Sequence, residues 1–124
     1  MQNRSETPRL VVVTGRAGSG KTTLAPLLAG ALHMPCIARD SLKEGYVNTV
    51  GRSHAELAED ANVRVTTTFF EVVRHLLDSD ISLVVEAAFQ HKRWAPFLEP
   101  LIPNIRLTII FCGTGLGCSQ VCYG

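Results

Sequence analysis

The chain has 124 residues and a net charge of +1, with 46% hydrophobic and 19% charged residues. That is the length of one domain, apolar enough to fill a core and too apolar for a disordered chain. No apolar run reaches the roughly 18 residues of a membrane span, and the near-neutral balance demands neither a nucleic acid nor an anionic membrane as partner.

The opening MQNRSETPRL is polar and lacks the apolar core of a secretory signal, so a cytoplasmic location is expected. LVVVT (10–14) is a continuous β-branched run and predicts a strand buried on both faces, as in a parallel sheet. A glycine-rich turn follows. KTTLAPLLAGALH (21–33) then predicts a helix with Leu24, Leu27, Leu28 and Ala31 on one face and Pro26 in its early turns. MPCIARD (34–40) reads as a short second strand ending in charged residues.

A long helix is predicted from Ser53, which forms the capping box S-x-x-E with Glu56. Leu57, Ala61, Val65, Phe69, Val72 and Leu76 recur every three or four residues, and this stripe outweighs the strand propensity of VTTT (65–68). DSD (78–80) is a turn, and ISLVVEAAF (81–89) opens as a third buried strand. HKRWAPFLEPLIP (91–103) predicts a short helical stretch interrupted by proline, with Trp94 in a packing role. IRLTIIF (105–111) is a fourth strand. Strands alternating with helices imply βαβ units and a parallel sheet, hence an α/β fold. One core over 1–111 is followed by a glycine-rich tail, 112–124, with no clear periodicity.

Four stretches carry chemistry. Gly15, Gly20, Lys21 and Thr22 fit G-x-x-x-x-G-K-T between a strand and a helix, the setting this phosphate cradle requires. Gly15, Arg16, Ala17, Gly18, Ser19, Gly20, Lys21, Thr22 and Thr23 are therefore the candidate nucleotide-binding residues. Backbone N–H groups and the helix N-terminus hold phosphate oxygens, Lys21 reaches the β- and γ-phosphates, and the Thr22 hydroxyl ligates Mg²⁺. In ARDSLKEG (38–45), Asp40 stands where the sheet edge opens into a cleft; a carboxylate there accepts the proton of an attacking hydroxyl, or serves as a helix N-cap. Arg39, Lys43 and Glu44 line the same cleft. In LVVEAAF (83–89), Glu86 ends an apolar strand and is placed to hold a Mg²⁺-bound water or to orient substrate. FQHKRW (89–94) brings Gln90, His91, Lys92 and Arg93 to the same rim, where they meet an anionic substrate or form a polar turn. Cys36 and Cys112 read as small buried side chains, while Cys118 and Cys122 are too few to close a metal site.

GRAGSGKTT, ARDSLKEG and LVVEAAF, in this order and spacing, resemble the small P-loop kinases described as zeta-toxin-like, polynucleotide-kinase-like or AAA-family ATPase-like. The resemblance covers about residues 8–111. It implies a P-loop NTPase core, three-layer αβα with a parallel sheet, adenylate-kinase-like, with four of its five core strands present. It implies ATP and Mg²⁺ as cofactors, Lys21 and Asp40 as catalytic residues, and Arg39, Asp40, Lys43, Glu86 and Gln90 around the acceptor. The expected activity is transfer of the ATP γ-phosphoryl group to a hydroxyl of a small molecule. The alternatives are a nucleotide-binding module or NTPase with little transferase activity, and a polynucleotide 5′-hydroxyl kinase; the balanced charge disfavours nucleic acid. Such kinases continue past the fourth strand with an arginine-bearing lid, a fifth strand and an adenine loop. Here Arg106 is the last basic residue and GTGLGCSQVCYG (113–124) follows. A C-terminally truncated chain is therefore expected. It should bind ATP weakly, transfer phosphate slowly and self-associate through an unpaired edge at the fourth strand.

Overall fold

The computed structural model describes residues 7–15, 20–50, 54–88, 91–113 and 117–123, and the backbone alone for 54–60, 91 and 117–123. In chain order the elements are β1 (Arg9–Gly15), α1 (Lys21–Leu32), β2 (Cys36–Ala38), α2 (Arg39–Val50), α3 (His54–Asp78), β3 (Leu83–Glu86), α4 (His91–Leu98), β4 (Arg106–Gly113) and β5 (Gly117–Tyr123). A 3₁₀ turn at Ile102–Asn104 leads into β4. The sheet order is β2-β3-β1-β4-β5. The first four of these neighbours run parallel, so the expected four-stranded parallel core is present.

Side chains alternate across β1 and divide it between two interiors. Leu10 and Val12 join Phe69, Val73 and Leu77 of α3, Trp94 and Leu98 of α4, and Leu107 and Ile109 of β4. Val11 and Val13 face the other way, onto Ala25 and Ala29 of α1 with Val84 and Cys112. Helices therefore cover both faces, giving the αβα layering. This is why β1 reads as an unbroken apolar run, with Leu10 to Val13 no more than 3% exposed. The larger interior holds an aromatic cluster in which Trp94 stands edge-on to Phe69 and Phe70, at 5.8 and 5.2 Å between ring centroids. Full burial of a side chain such as Phe69 contributes about 1.5–3 kcal/mol.

Two helix faces differ from the sequence pattern. In α1 the buried residues are Ala25 and Ala29, while Leu27 is 67% exposed and Ala31 also faces out. This helix is apolar on nearly every side, so periodicity does not single out a face. The small alanines let it lie close on the sheet. In α3 the buried stripe runs Ala61, Val65, Phe69, Val73, Leu77. Val72 and Leu76, predicted for that stripe, are half-buried at its flank. The capping pair Ser53 and Glu56 lies outside the described side chains.

The tail departs most from expectation. Residues 117–123 form β5, antiparallel to β4 with Gly113 opposite Gly117 and Leu107 opposite Tyr123. β4 is therefore not the open edge that was expected; the edges of the sheet are β2 and β5. GCSQVCY has no clean polar–apolar alternation. Its strand conformation comes from pairing with β4's backbone donors and acceptors.

Candidate functional site

Parallel strands end on one side of the sheet, so the segments leaving β1, β2 and β3 meet there. Val13 of β1 and Ala38 of β2 both pair with Glu86 of β3. Glu86 is thus centred between the turn into α1 and the turn into α2.

The turn into α1 closes at Gly20, whose φ of 95° lies in the left-handed region. An added Cβ would meet nothing within 4 Å there. Glycine is needed at this position for backbone angle, not for room. The Gly20 carbonyl accepts the N–H groups of Thr23 and Leu24, which starts the helix. Lys21 and Thr22 then sit in the first turn. Lys21 Nζ donates to the Gly15 carbonyl at 3.1 Å, holding the ammonium at the end of β1. Thr22 Oγ1 donates to Glu86 Oε2 at 3.0 Å. Glu86 is only 6% exposed, so that hydroxyl supports a nearly buried carboxylate.

A hydroxyl and a carboxylate held together at a helix N-terminus are hard oxygen donors of the kind Mg²⁺ prefers. Among the described residues there is no cluster of three or more His, Cys, Asp or Glu fit for a metal. Thr22 and Glu86 fit Mg²⁺ as its protein-side pair. Glu86→Gln keeps the Thr22 contact but removes the charge. The expected outcome is a higher Mg²⁺ concentration for half-maximal ATP binding, read from calorimetric titrations across a Mg²⁺ series. Superimposable curves for the two proteins would remove Glu86 from the metal site. Burial and the nearby Glu86 carboxylate push the Cys36 thiol up from its ordinary pKa, so it stays protonated and unreactive at neutral pH.

Asp40 lies inside the first turn of α2, not ahead of it, so the N-cap alternative does not hold. Its carboxylate is 80% exposed, with an Arg39 guanidinium nitrogen 3.9 Å away. Arg39 itself is fastened to α3. Its Nε and Nη2 reach the Thr66 hydroxyl at 3.1 and 3.0 Å, and Nη2 also reaches the Asn62 side-chain oxygen at 3.4 Å. These bonds tie the start of α2 to the long helix. Arg39→Met should therefore lower stability by about 1–3 kcal/mol, because it strips the half-buried Thr66 and Asn62 of a charged partner. Urea unfolding of the two proteins measures this. A change below about 0.5 kcal/mol, the level of an ordinary surface substitution, would mean that the bonds hold nothing in place.

Lys21, Arg39, Asp40 and Glu86 line one cavity of about 280 Å³. Sequence reasoning had named all four. The opposite wall is Asn62, Thr66, Phe69 and Phe70 of α3, with Arg93 and Trp94 of α4. Of these, the sequence marks Arg93 alone for substrate, and Phe69 and Trp94 for packing. Asn62 and Thr66 flank the buried stripe of α3 at a four-residue spacing, which is the one signal that could have marked them. Lys43 does not line the cavity. Arg16, Ala17, Gly18, Ser19 and Gln90 lie outside the described residues. No described helix is long and apolar enough to cross a membrane.

The family model for Zeta toxin matches residues 1–104. The chain belongs to the zeta toxin family. No curated protein matches it significantly. Among solved structures it is similar to a Chloroflexus aurantiacus protein provisionally described as a kinase, at 28% identity and a TM-score of 0.78, covering 86% of this chain and 59% of that one. It also resembles a chain of the Pnkp1/Rnl/Hen1 RNA repair complex, at 17% identity and a TM-score of 0.69, covering 89% of this chain and 34% of that one. A third likeness is to the APS kinase of Mycobacterium tuberculosis, at 23% identity and a TM-score of 0.60, covering 89% and 78%. The last two share the fold. The zeta-toxin-family chain thus spans about three-fifths of the first of these proteins and a third of the second. Fold and family together are those of P-loop kinases.

Proposed function

We propose that this zeta-toxin-family chain carries the site of an ATP-dependent phosphotransferase acting on a hydroxyl of a small molecule. One observation carries the reading: a phosphate-loop lysine, an exposed aspartate and a strand-end glutamate line one cavity. Lys21 leaves the Gly15 carbonyl for the β- and γ-phosphates, exchanging a neutral acceptor for an anionic one. Thr22 and Glu86 would hold Mg²⁺ from the protein side, and the ion would supply positive charge against the phosphate oxygens. Asp40 accepts the acceptor's hydroxyl proton. The acceptor oxygen forms the new bond to the γ-phosphorus as the bond to the bridging oxygen breaks, and ADP leaves. The near-neutral charge balance favours a small acceptor over a polynucleotide, whose backbone takes several Lys and Arg contacts to bind.

The test is incubation with γ-labelled ATP and a panel of hydroxyl acceptors, comparing labelled product with free phosphate. The expected result is label on an acceptor in excess of free phosphate. Free phosphate alone would make the chain an NTPase. Tight ATP binding without turnover would make it a nucleotide-binding module.

A further inference from the structure

β5 is an edge strand, and its neighbour in the described sheet is β4. Its sequence, GCSQVCY, carries little strand preference of its own. The register of β5 on β4 sets Cys118 directly opposite Cys112. Such opposite residues of an antiparallel pair lie on the same face of the sheet. Their Cα atoms are about 5.5 Å apart in a hydrogen-bonded pair and about 4.5 Å apart in a non-hydrogen-bonded one. Both separations fall within the roughly 4.4–6.8 Å that a disulfide spans, so the backbone permits the bond in either kind of pair.

No other pairing of the four cysteines is within reach inside one chain. Cys122 stands opposite Thr108, four residues from Cys112 along β4, or about 13 Å. Cys118 and Cys122 are equally far apart along β5. Cys36 lies on β2, three strand spacings from β4, or about 14 Å. Cys112 also pairs, across the other edge of β4, with Gly15, the first glycine of the phosphate loop. Gly15, Cys112 and Cys118 thus form one row across three strands.

We infer that Cys112 and Cys118 form a redox modification site, a reversible disulfide that locks the edge strand onto the sheet in the row where the phosphate loop starts. The oxidant is a low-molecular-weight disulfide. One cysteine thiolate attacks it, forming a mixed disulfide and releasing one thiolate. The second cysteine attacks the mixed disulfide and releases the other. Two protein thiols become one disulfide, and the oxidant leaves as two thiols that carry the two protons. Cys112 is only 4% exposed, which suits it to the second, internal step. The oxidised chain keeps β5 in place. The reduced chain lacks that lock, and each time β5 leaves, β4 is bared as an open edge.

The test is incubation of the whole chain with oxidised glutathione. The expected product is a monomer on a non-reducing gel, with no glutathione retained on Cys112 or Cys118. Chymotrypsin cuts after Leu116 and so separates Cys112 from Cys118 and Cys122. The two peptides should stay joined until dithiothreitol is added. A double variant, Cys36→Ser with Cys122→Ser, should form the same link. Cys118→Ser should lose it, and a substitution on an edge strand should leave the fold intact. Cys112→Ser should instead hold glutathione trapped on Cys118. Hydrogen exchange reads the lock itself. The β5 amides should exchange about tenfold or more slowly in the oxidised chain, a modest effect for a disulfide. That difference should vanish in Cys118→Ser.

Four intact thiols after oxidation would overturn the inference. So would a link that requires Cys122, a disulfide between two chains, or glutathione stably retained on Cys118 of the parent. Equal exchange rates in the oxidised and reduced chains would show that the bond locks nothing, and would overturn it as well.

Discussion

Lys21→Ala should weaken ATP·Mg²⁺ binding by about 10- to 100-fold or more, as expected when one or two charge-assisted bonds to phosphate are lost. The fold should survive. Among the described residues Lys21 makes a single hydrogen bond, to the Gly15 carbonyl, and it is absent from both hydrophobic clusters. Its removal should change stability by less than about 1.5 kcal/mol, the upper value for one such bond. The two effects separate cleanly. Calorimetry with ATP·Mg²⁺ gives the affinity, and a thermal melt without nucleotide gives the stability. Unchanged affinity would sink the phosphate-loop assignment. A large fall in melting temperature would mean that the Lys21–Gly15 bond holds the loop's shape and that lost affinity is secondary to it.

What could be read from the sequence follows from how local each cause is. β1 was legible because burial on both faces demands an unbroken apolar run, and Leu10 to Val13 supply one. The α3 stripe prevailed over VTTT because Thr67 and Thr68 point to solvent, where strand propensity meets no neighbouring strand to act on. β5 was missed because its cause is not in its own residues. Glycine, cysteine and glutamine carry little strand preference, and the partner that orders them is β4. The site divides in the same way. The phosphate loop and Glu86 each depend on one strand and the residues just after it, so spacing identifies them. Arg39 was nominated for substrate, yet its bonds go to Thr66 and Asn62, 27 and 23 residues away. Only the packing of α2 on α3 brings those together. Lys43 is three residues from Asp40 and still lies off the cavity. Nearness along a helix does not choose which side of it meets a pocket.

Asp40→Asn should leave ATP binding intact and slow phosphoryl transfer by about 10²–10⁴-fold, the usual cost of losing a general base. Asparagine keeps the shape and one oxygen but is a poor proton acceptor. The position suits the role. The carboxylate is 80% exposed, so acceptor and proton can reach it, and it shares a cavity with Lys21 and Glu86. The rival explanation is structural, since an acid in the first turn of α2 favours the helix dipole. That contribution is worth only about 0.3–1 kcal/mol. Loss of so little stability cannot remove several orders of magnitude of rate from a protein that stays folded at the assay temperature. Arg39 strengthens the distinction. It sits 3.9 Å from Asp40 but takes its main bonds from α3, so the start of α2 keeps its place when the charge at 40 is removed. Single-turnover transfer to whichever acceptor the panel identifies, with ATP affinity measured alongside, therefore reads the chemistry directly. Transfer at the parent rate would reduce Asp40 to a helix-start residue. The proton would then have to leave through Glu86 or solvent.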